Sequence, residues 1–313
     1  MKPMTELPDD PALPALDAIR AVGLAGMFPV LGLEDCPVDL LLRRYHQGVR
    51  AAFEARAGHR RLAVKAYAED PASEAELYAA LASVAVAGDL GTRVPPLLAW
   101  DRDLRVVVTG WLEGPTAHQL IEGGQGKRAG DLAARWFQHA ASITVNLGPP
   151  LDAERMMHQV RRWVATLCAS DPALGAAATA LARILGQTQP KQSAPRLVHG
   201  SFYPRHVLDL GDCTGLIDWE RFGQGPPELD AGEFLATTSR IGLAHEPVAG
   251  EAARAEAAFL AGTAGLLDPR SLTWYRVASL LRLANKRTRR PGDSPTLGHP
   301  LLAEAARLAE AAG

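Results

Sequence analysis

Between Asp39 and Tyr67 the chain reads DLLLRRYHQG, VRAAFEAR and RRLAVKAY, short runs of alternating or branched apolar residues separated by Gly48 and by Ala57-Gly58. Apolar alternation broken by glycine turns is strand patterning, and three antiparallel strands are expected. Asp70-Pro71 then supplies an N-cap and a proline for the first helical turn, and Leu77, Tyr78, Leu81 and Val84 recur at helical spacing, so a helix is expected to end near Gly88. VPPLLAWD and LRVVVTGWLEG restore strand character up to Gly114. Beyond that point nearly everything is patterned as helix, apart from LVHGSFYPRHVLDLGDCTGLIDWE. Residues 1–37 read as a loose lead-in with one short helix in LDAIRAVGLAGMF, packed on a lobe edge. The pattern predicts an α+β, bilobal chain: an N-terminal extension over 1–37, a small antiparallel-sheet lobe over 38–112 and a mainly helical lobe over 113–313.

Composition narrows the class. The chain has 313 residues, 47% hydrophobic, 22% charged and 6% aromatic, which fits a globular protein with a buried core and excludes collagen-like or acidic disordered chains. A net charge of -2 gives no basic excess for a nucleic-acid backbone or an anionic membrane, so small molecules or proteins are the expected partners. Cys36, Cys168 and Cys213 are odd in number and scattered, which suits apolar fillers in a reducing compartment and a cytoplasmic location. The stretch Leu16–Leu33 carries Asp17, Arg20 and Pro29 and fits neither a signal peptide nor a membrane span.

Several residues are candidates for chemistry. Strand period two puts Ala63, Lys65 and Tyr67 on one face, where a small alanine leaves room for a flat ring while the lysine aims its ammonium at phosphates. The plain alternative is a solvated edge lysine. Glu74 shares the inward face of its helix with Leu77 and Tyr78 and could reach Lys65, or could be solvated near the helix start, whereas Glu76 points away. GGQGKR at Gly123–Arg128 lacks the spacing and the Ser/Thr of a P-loop and is read as a solvent loop. Arg282, Lys286, Arg287, Arg289 and Arg290 end a helix, either as a cationic last turn or as a surface for an anion.

Two short strands flank a polar turn, and the second runs directly into Asp218. His199-Gly200-Ser201-Phe202-Tyr203-Pro204-Arg205-His206, followed by Ile217-Asp218-Trp219-Glu220, resembles the aminoglycoside/choline kinase-like phosphotransferase family, whose loop reads roughly H-G-D-x-x-x-x-N before a strand ending in I-D-W/F-E/D. The parts stand in the family's order from about Asp39 to Asn285. The resemblance implies a protein-kinase-like fold with ATP and Mg²⁺ (or Mn²⁺) in the cleft between two lobes. By position it makes Lys65 a contact of the α/β-phosphates paired with Glu74, Ala63 and the Gly110 to Leu112 hinge neighbours of the adenine, and Gly48 the only glycine of the phosphate loop. It makes Asp218 the metal ligand and Asp230 a support of the catalytic loop.

Two departures bear on activity. Ser201 stands where the family has its general-base aspartate, and His206 where it has the second metal-ligand asparagine. A serine cannot take up a proton at neutral pH, and an imidazole suits Mn²⁺ or Zn²⁺ better than Mg²⁺. One reading is an ATP-dependent phosphotransferase acting on a hydroxyl of a small molecule, with Ser201 positioning the hydroxyl, His206 as base or metal ligand and His199 bracing the loop. The other is an inactive nucleotide-binding pseudokinase with a regulatory or protein-binding role. In the plainer reading of His206 it is a hydrogen-bonded spacer.

Overall fold

The structure is a computed structural model and describes residues 7–84, 92–140, 143–191, 194–288 and 297–311. The first elements are α1 (Pro14–Met27), β1 (Val38–His46), β2 (Arg50–Ala57), β3 (Arg60–Tyr67), α2 (Ala72–Val84), β4 (Thr92–Arg93), β5 (Leu97–Asp101) and β6 (Val106–Gly110). They are followed by α3 (Ala117–Glu122), α4 (Gly126–Ala140), α5 (Ala153–Ser170), α6 (Pro172–Gln187), β7 (Arg196–Val198), β8 (Val207–Asp209), β9 (Thr214–Leu216) and β10 (Gly223–Gly225). The last are α7 (Pro227–Ala244), α8 (Ala249–Gly262), α9 (Pro269–Thr288) and α10 (Gly298–Ala311). The chain divides into two compact units, one of Met1–Gly88 with Val94–Glu113 and one of Asp89–Arg93 with Gly114–Gly313.

In the first unit the strands form an antiparallel sheet in the order β1-β2-β3-β6-β5. Its pleat sends Phe53, Ala55, Leu62, Val64, Val106 and Val108 to one face, where Leu13, Leu16 and Leu24 pack on them. Each buried leucine contributes about 1.5–3 kcal/mol. The lead-in is therefore not loose: α1 is a 14-residue helix, kinked at Gly23, whose φ is 67°, and its apolar side belongs to the sheet's core. Asp70 caps α2 by accepting the Ala72 N–H at 2.9 Å. The expected end of that helix near Gly88 lies outside the described residues.

The second unit holds its small ladders inside a helical shell. β7 pairs with β10, and β9 lies between β8 and β4, the latter parallel to it. α5, α6, α9 and α10 supply most of one apolar core, including Leu167, Leu181, Leu281 and Leu301. α7 is buried along most of its length. A second group of rings, Phe137, Phe202, Phe234 and Phe259, packs at centroid distances of 4.9 to 5.8 Å.

Two local expectations are corrected. Gly126–Arg128 is the first turn of α4 and not a solvent loop: the Gly126 N–H donates to Glu251 at 2.8 Å, and Arg128 grips Asp209 through Nε at 2.8 Å and Nη2 at 2.7 Å. Of the three cysteines only Cys213 is a buried filler, since Cys36 and Cys168 are exposed.

Candidate functional site

Lys65 sits on β3, opposite Ala52 on β2 and Val107 on β6. Its Nζ lies 3.1 Å from Glu74 Oε1, on a carboxylate whose residue is 4% exposed. Tyr67, two residues on and so on the same face, donates its hydroxyl to Glu74 Oε2 at 2.6 Å. Burial above all pushes the Tyr67 pKa well up, so the phenol keeps the proton it donates. Sequence reasoning missed Tyr67 as a partner, although its place on the lysine's face was legible.

The same face carries a second charged group. Strand register places Glu54 opposite Ala63, so the two share a face with Lys65. Glu54 is fully buried and accepts from Arg56 Nε at 2.6 Å, from Arg61 Nε at 2.8 Å and from Arg43. Burial works against ionisation, but the arginines outweigh it and hold the carboxyl at about 2. Arg61 lies 4.6 Å and Arg43 5.8 Å from the Trp111 ring, within the Gly110 to Leu112 segment. Gly110 is packed so closely that an added Cβ would meet Pro96 at 2.8 Å, and Leu112 is half-buried. Gly48, at φ 66°, makes the β1–β2 turn, and its N–H donates to Asp10 Oδ2 at 2.7 Å. Asp10 also accepts from the Tyr45 hydroxyl at 3.0 Å, and these donors, the Gly48 amide foremost, lower its pKa. No local sequence pattern links Asp10 to a turn so far along the chain.

In the second unit, the loop 199–206 between β7 and β8 is held from α7. Asp230 accepts the His199 N–H at 2.6 Å and the Gly200 N–H at 2.8 Å, and Glu233 accepts the Phe202 N–H at 3.1 Å. Burial, with Glu233 adding to it, raises the Asp230 pKa to about 8 against the pull of the two amides. Glu233 lies one helical turn beyond Asp230, a spacing that could have revealed it. Gly200 has φ 68°, and a Cβ there would lie 2.0 Å from the Arg221 carbonyl oxygen, so only glycine fits.

Hydrogen bonds assign the tautomers of both histidines. His199 Nε2 lies 3.0 Å from the Ile217 carbonyl and donates to it, so His199 Nδ1, 3.1 Å from Ser201 Oγ, accepts the serine proton. Ser201 is 3% exposed. His199 also lies 4.6 Å from the ring of Trp219, a fully buried residue whose indole donates to the Leu216 carbonyl at 3.2 Å. His206 Nδ1 lies 2.8 Å from the Ser201 carbonyl and donates to it, which leaves a lone pair on Nε2.

His206 Nε2 lies 3.1 Å from Asp218 Oδ2 and accepts from Arg205 Nε at 3.0 Å. Burial first, and Arg205 after it, lower the His206 pKa despite Asp218, which keeps the ring neutral. Asp218 follows β9 with φ 71°, a left-handed conformation that costs a non-glycine residue about 1–3 kcal/mol and is concentrated at functional positions. Among the described residues no group of three or more His, Cys, Asp and Glu could hold a metal ion. The neutral imidazole and the carboxylate nevertheless fit a divalent cation that takes its remaining ligands from phosphates and water. A cavity of about 640 Å³ is lined by Asp152, Glu154, Gln224 and Tyr275 among others, and no residue of the 199–206 loop borders it.

A family model described as the phosphotransferase enzyme family matches residues 41–275. No curated protein matches the sequence. A thermostable aminoglycoside phosphotransferase, solved in ternary complex with ADP and hygromycin B, is similar at 14% identity and a TM-score of 0.65, over 91% of this chain and 97% of that one. An aminoglycoside-3'-phosphotransferase of type VIII is similar at 23% identity and a TM-score of 0.55, over 84% and 97%. A choline/ethanolamine kinase family protein from Mesorhizobium loti is similar at 18% identity and a TM-score of 0.58, over 95% of each chain. Identities this low establish a shared fold.

Proposed function

The chain belongs to the phosphotransferase enzyme family, and on that premise we propose that it transfers the terminal phosphoryl group of ATP to a hydroxyl of a small molecule. The observation that carries this reading is the Asp218–His206 contact at 3.1 Å, with the proton of the ring on Nδ1 and the Nε2 lone pair accepting from Arg205 Nε at 3.0 Å, a bond that a bound cation would replace. Asp218 and His206 would hold Mg²⁺ or Mn²⁺, which when bound supplies charge neutralisation to the phosphates. Lys65 contacts the α/β-phosphates, and Glu74, itself fixed by Tyr67, orients the ammonium. Asp230 and Glu233 hold the loop backbone in place.

Ser201 differs from an aspartate in what it can do with a proton. Its own hydrogen goes to His199 Nδ1, so its oxygen accepts a hydrogen bond from the substrate hydroxyl without taking the proton. As the hydroxyl oxygen bonds to phosphorus, the bond to ADP breaks, and the hydroxyl proton leaves to solvent. Phosphoryl transfer with a loose transition state draws mainly on positioning and electrostatics, and general-base catalysis contributes about 10²–10⁴-fold. A slow kinase is the expected outcome.

A second reading, nucleotide binding without turnover, is favoured by Ser201, whose hydroxyl is bonded to His199 Nδ1 at 3.1 Å and offers no carboxylate to take the proton of an acceptor. An assay of ADP release against a panel of small hydroxyl compounds separates the two. Stimulation by at least one compound is expected; saturable ATP binding with no stimulated release would establish the second reading.

A further inference from the structure

The ring of Tyr203, inside the 199–206 loop, is surrounded by cations. Arg205 lies 4.6 Å, Arg282 5.3 Å and Lys286 5.9 Å from its centroid. Arg282 comes from α9, is 6% exposed, and spends one nitrogen, Nη1, on Glu233 Oε1 at 2.7 Å and the Tyr203 hydroxyl at 2.7 Å. Its Nε and Nη2 are buried with no hydrogen-bond partner. The basic helix end is thus not a plain last turn: Arg282 is interior, while Arg289 and Arg290 lie outside the described residues and so does the Arg287 side chain.

A structural ion pair needs one cation for Glu233, yet three gather around this ring. Among the described residues Lys286 forms no ion pair, and it is exposed, so the group opens to solvent. Desolvation, then Arg282 and Arg221, lower the Lys286 pKa to about 7. The Nε–H and the two Nη2–H groups of a buried guanidinium are costly to leave unbonded unless an acceptor reaches them.

We infer that Arg205, Arg282 and Lys286, arranged around Tyr203, form an anion-binding subsite that takes a carboxylate or phosphate of the acceptor molecule. The inference rests on the phosphotransferase reading for its word acceptor, because Tyr203 and Arg205 lie in the same loop as Ser201 and His206. A planar guanidinium with two nitrogens unused matches either oxyanion, and a cationic acceptor would meet like charge.

The test is a calorimetric titration of the full chain, in buffer without divalent metal, with D-glycerate and sn-glycerol 3-phosphate, and with glycerol and choline as neutral and cationic controls. At least one anion should bind saturably, and K286M should weaken it by about tenfold to a hundredfold, as expected for loss of a charged hydrogen bond. K286R should largely restore binding. K127M removes a charge from exposed Lys127 on α4 and should leave binding unchanged. Equal binding of glycerol, no binding of either anion, or an equal loss in K127M overturns the subsite. ADP release with the same four compounds separates the two claims: release with choline alone overturns the anion subsite and keeps the phosphotransferase. Anion binding that is sensitive to K286M but never accompanied by release keeps the subsite and removes the phosphotransferase.

Discussion

Lys65 with Glu74 and the 199–206 loop handle charge in different ways. In the first unit an ammonium and a carboxylate meet at 3.1 Å, and a phenol fixes the second oxygen at 2.6 Å, so the cation is held in one place before any ligand arrives. In the second unit the backbone of the loop is held as firmly, by Asp230 and Glu233, but the side chain at position 201 is a hydroxyl and carries no charge. The difference assigns the cost of the altered loop to proton handling. On the proposed function, positioning of phosphates and metal would fall to Lys65 with Glu74 and to Asp218 with His206.

That division can be broken by substitution. Lys65→Met removes the charge aimed at the phosphates and should lower kcat/KM by about 10²–10³-fold, the scale for losing one electrostatic stabiliser, in steady-state kinetics. A loss under tenfold would mean the pair has no role in catalysis. Asp230→Ala leaves the His199 and Gly200 amides buried without an acceptor and should cost about 2–6 kcal/mol in urea unfolding, from about 1–3 kcal/mol per orphaned group. Unchanged stability would show that the loop is held by other means.

Smaller effects sharpen the contrast. Glu54 ionises at about 2 in the fold and near 4.5 when unfolded, so the stability it provides is complete above pH 4.5 and is lost as pH falls toward 2. Thermal unfolding between pH 5 and 2 should therefore decline less steeply in Glu54→Gln than in the native chain. Ser201→Ala removes one neutral hydrogen bond of about 1 kcal/mol and should reduce kcat by only about fivefold. A loss of 10³-fold in that variant would make Ser201 a proton acceptor after all.

The sheet of the first unit and the inward face of α2 were legible because alternation, a proline and helical spacing are local signals. Asp218 was legible through the strand that ends just before it, and Lys65 through its neighbouring alanine. Asp10 on the Gly48 amide was not, because nothing in the sequence connects two turns 38 residues apart. Glu54 was hidden for a related reason: a glutamate in RAAFEARA reads as the solvent side of a strand, and only the tertiary placement of Arg43, Arg56 and Arg61 makes its burial tolerable. The place of Arg282 under Tyr203 likewise depends on how α9 packs on α7. Helical periodicity alone marked it as one basic residue among five.

The most direct test of the account is calorimetric titration of ATP into the full chain with Mg²⁺ and then with Mn²⁺, for the native protein and for Asp218→Asn. Metal-dependent binding that weakens in the variant is predicted. Absence of binding with either metal, or binding that the substitution leaves untouched, would contradict the assignment of Asp218 and His206 as the metal-holding pair.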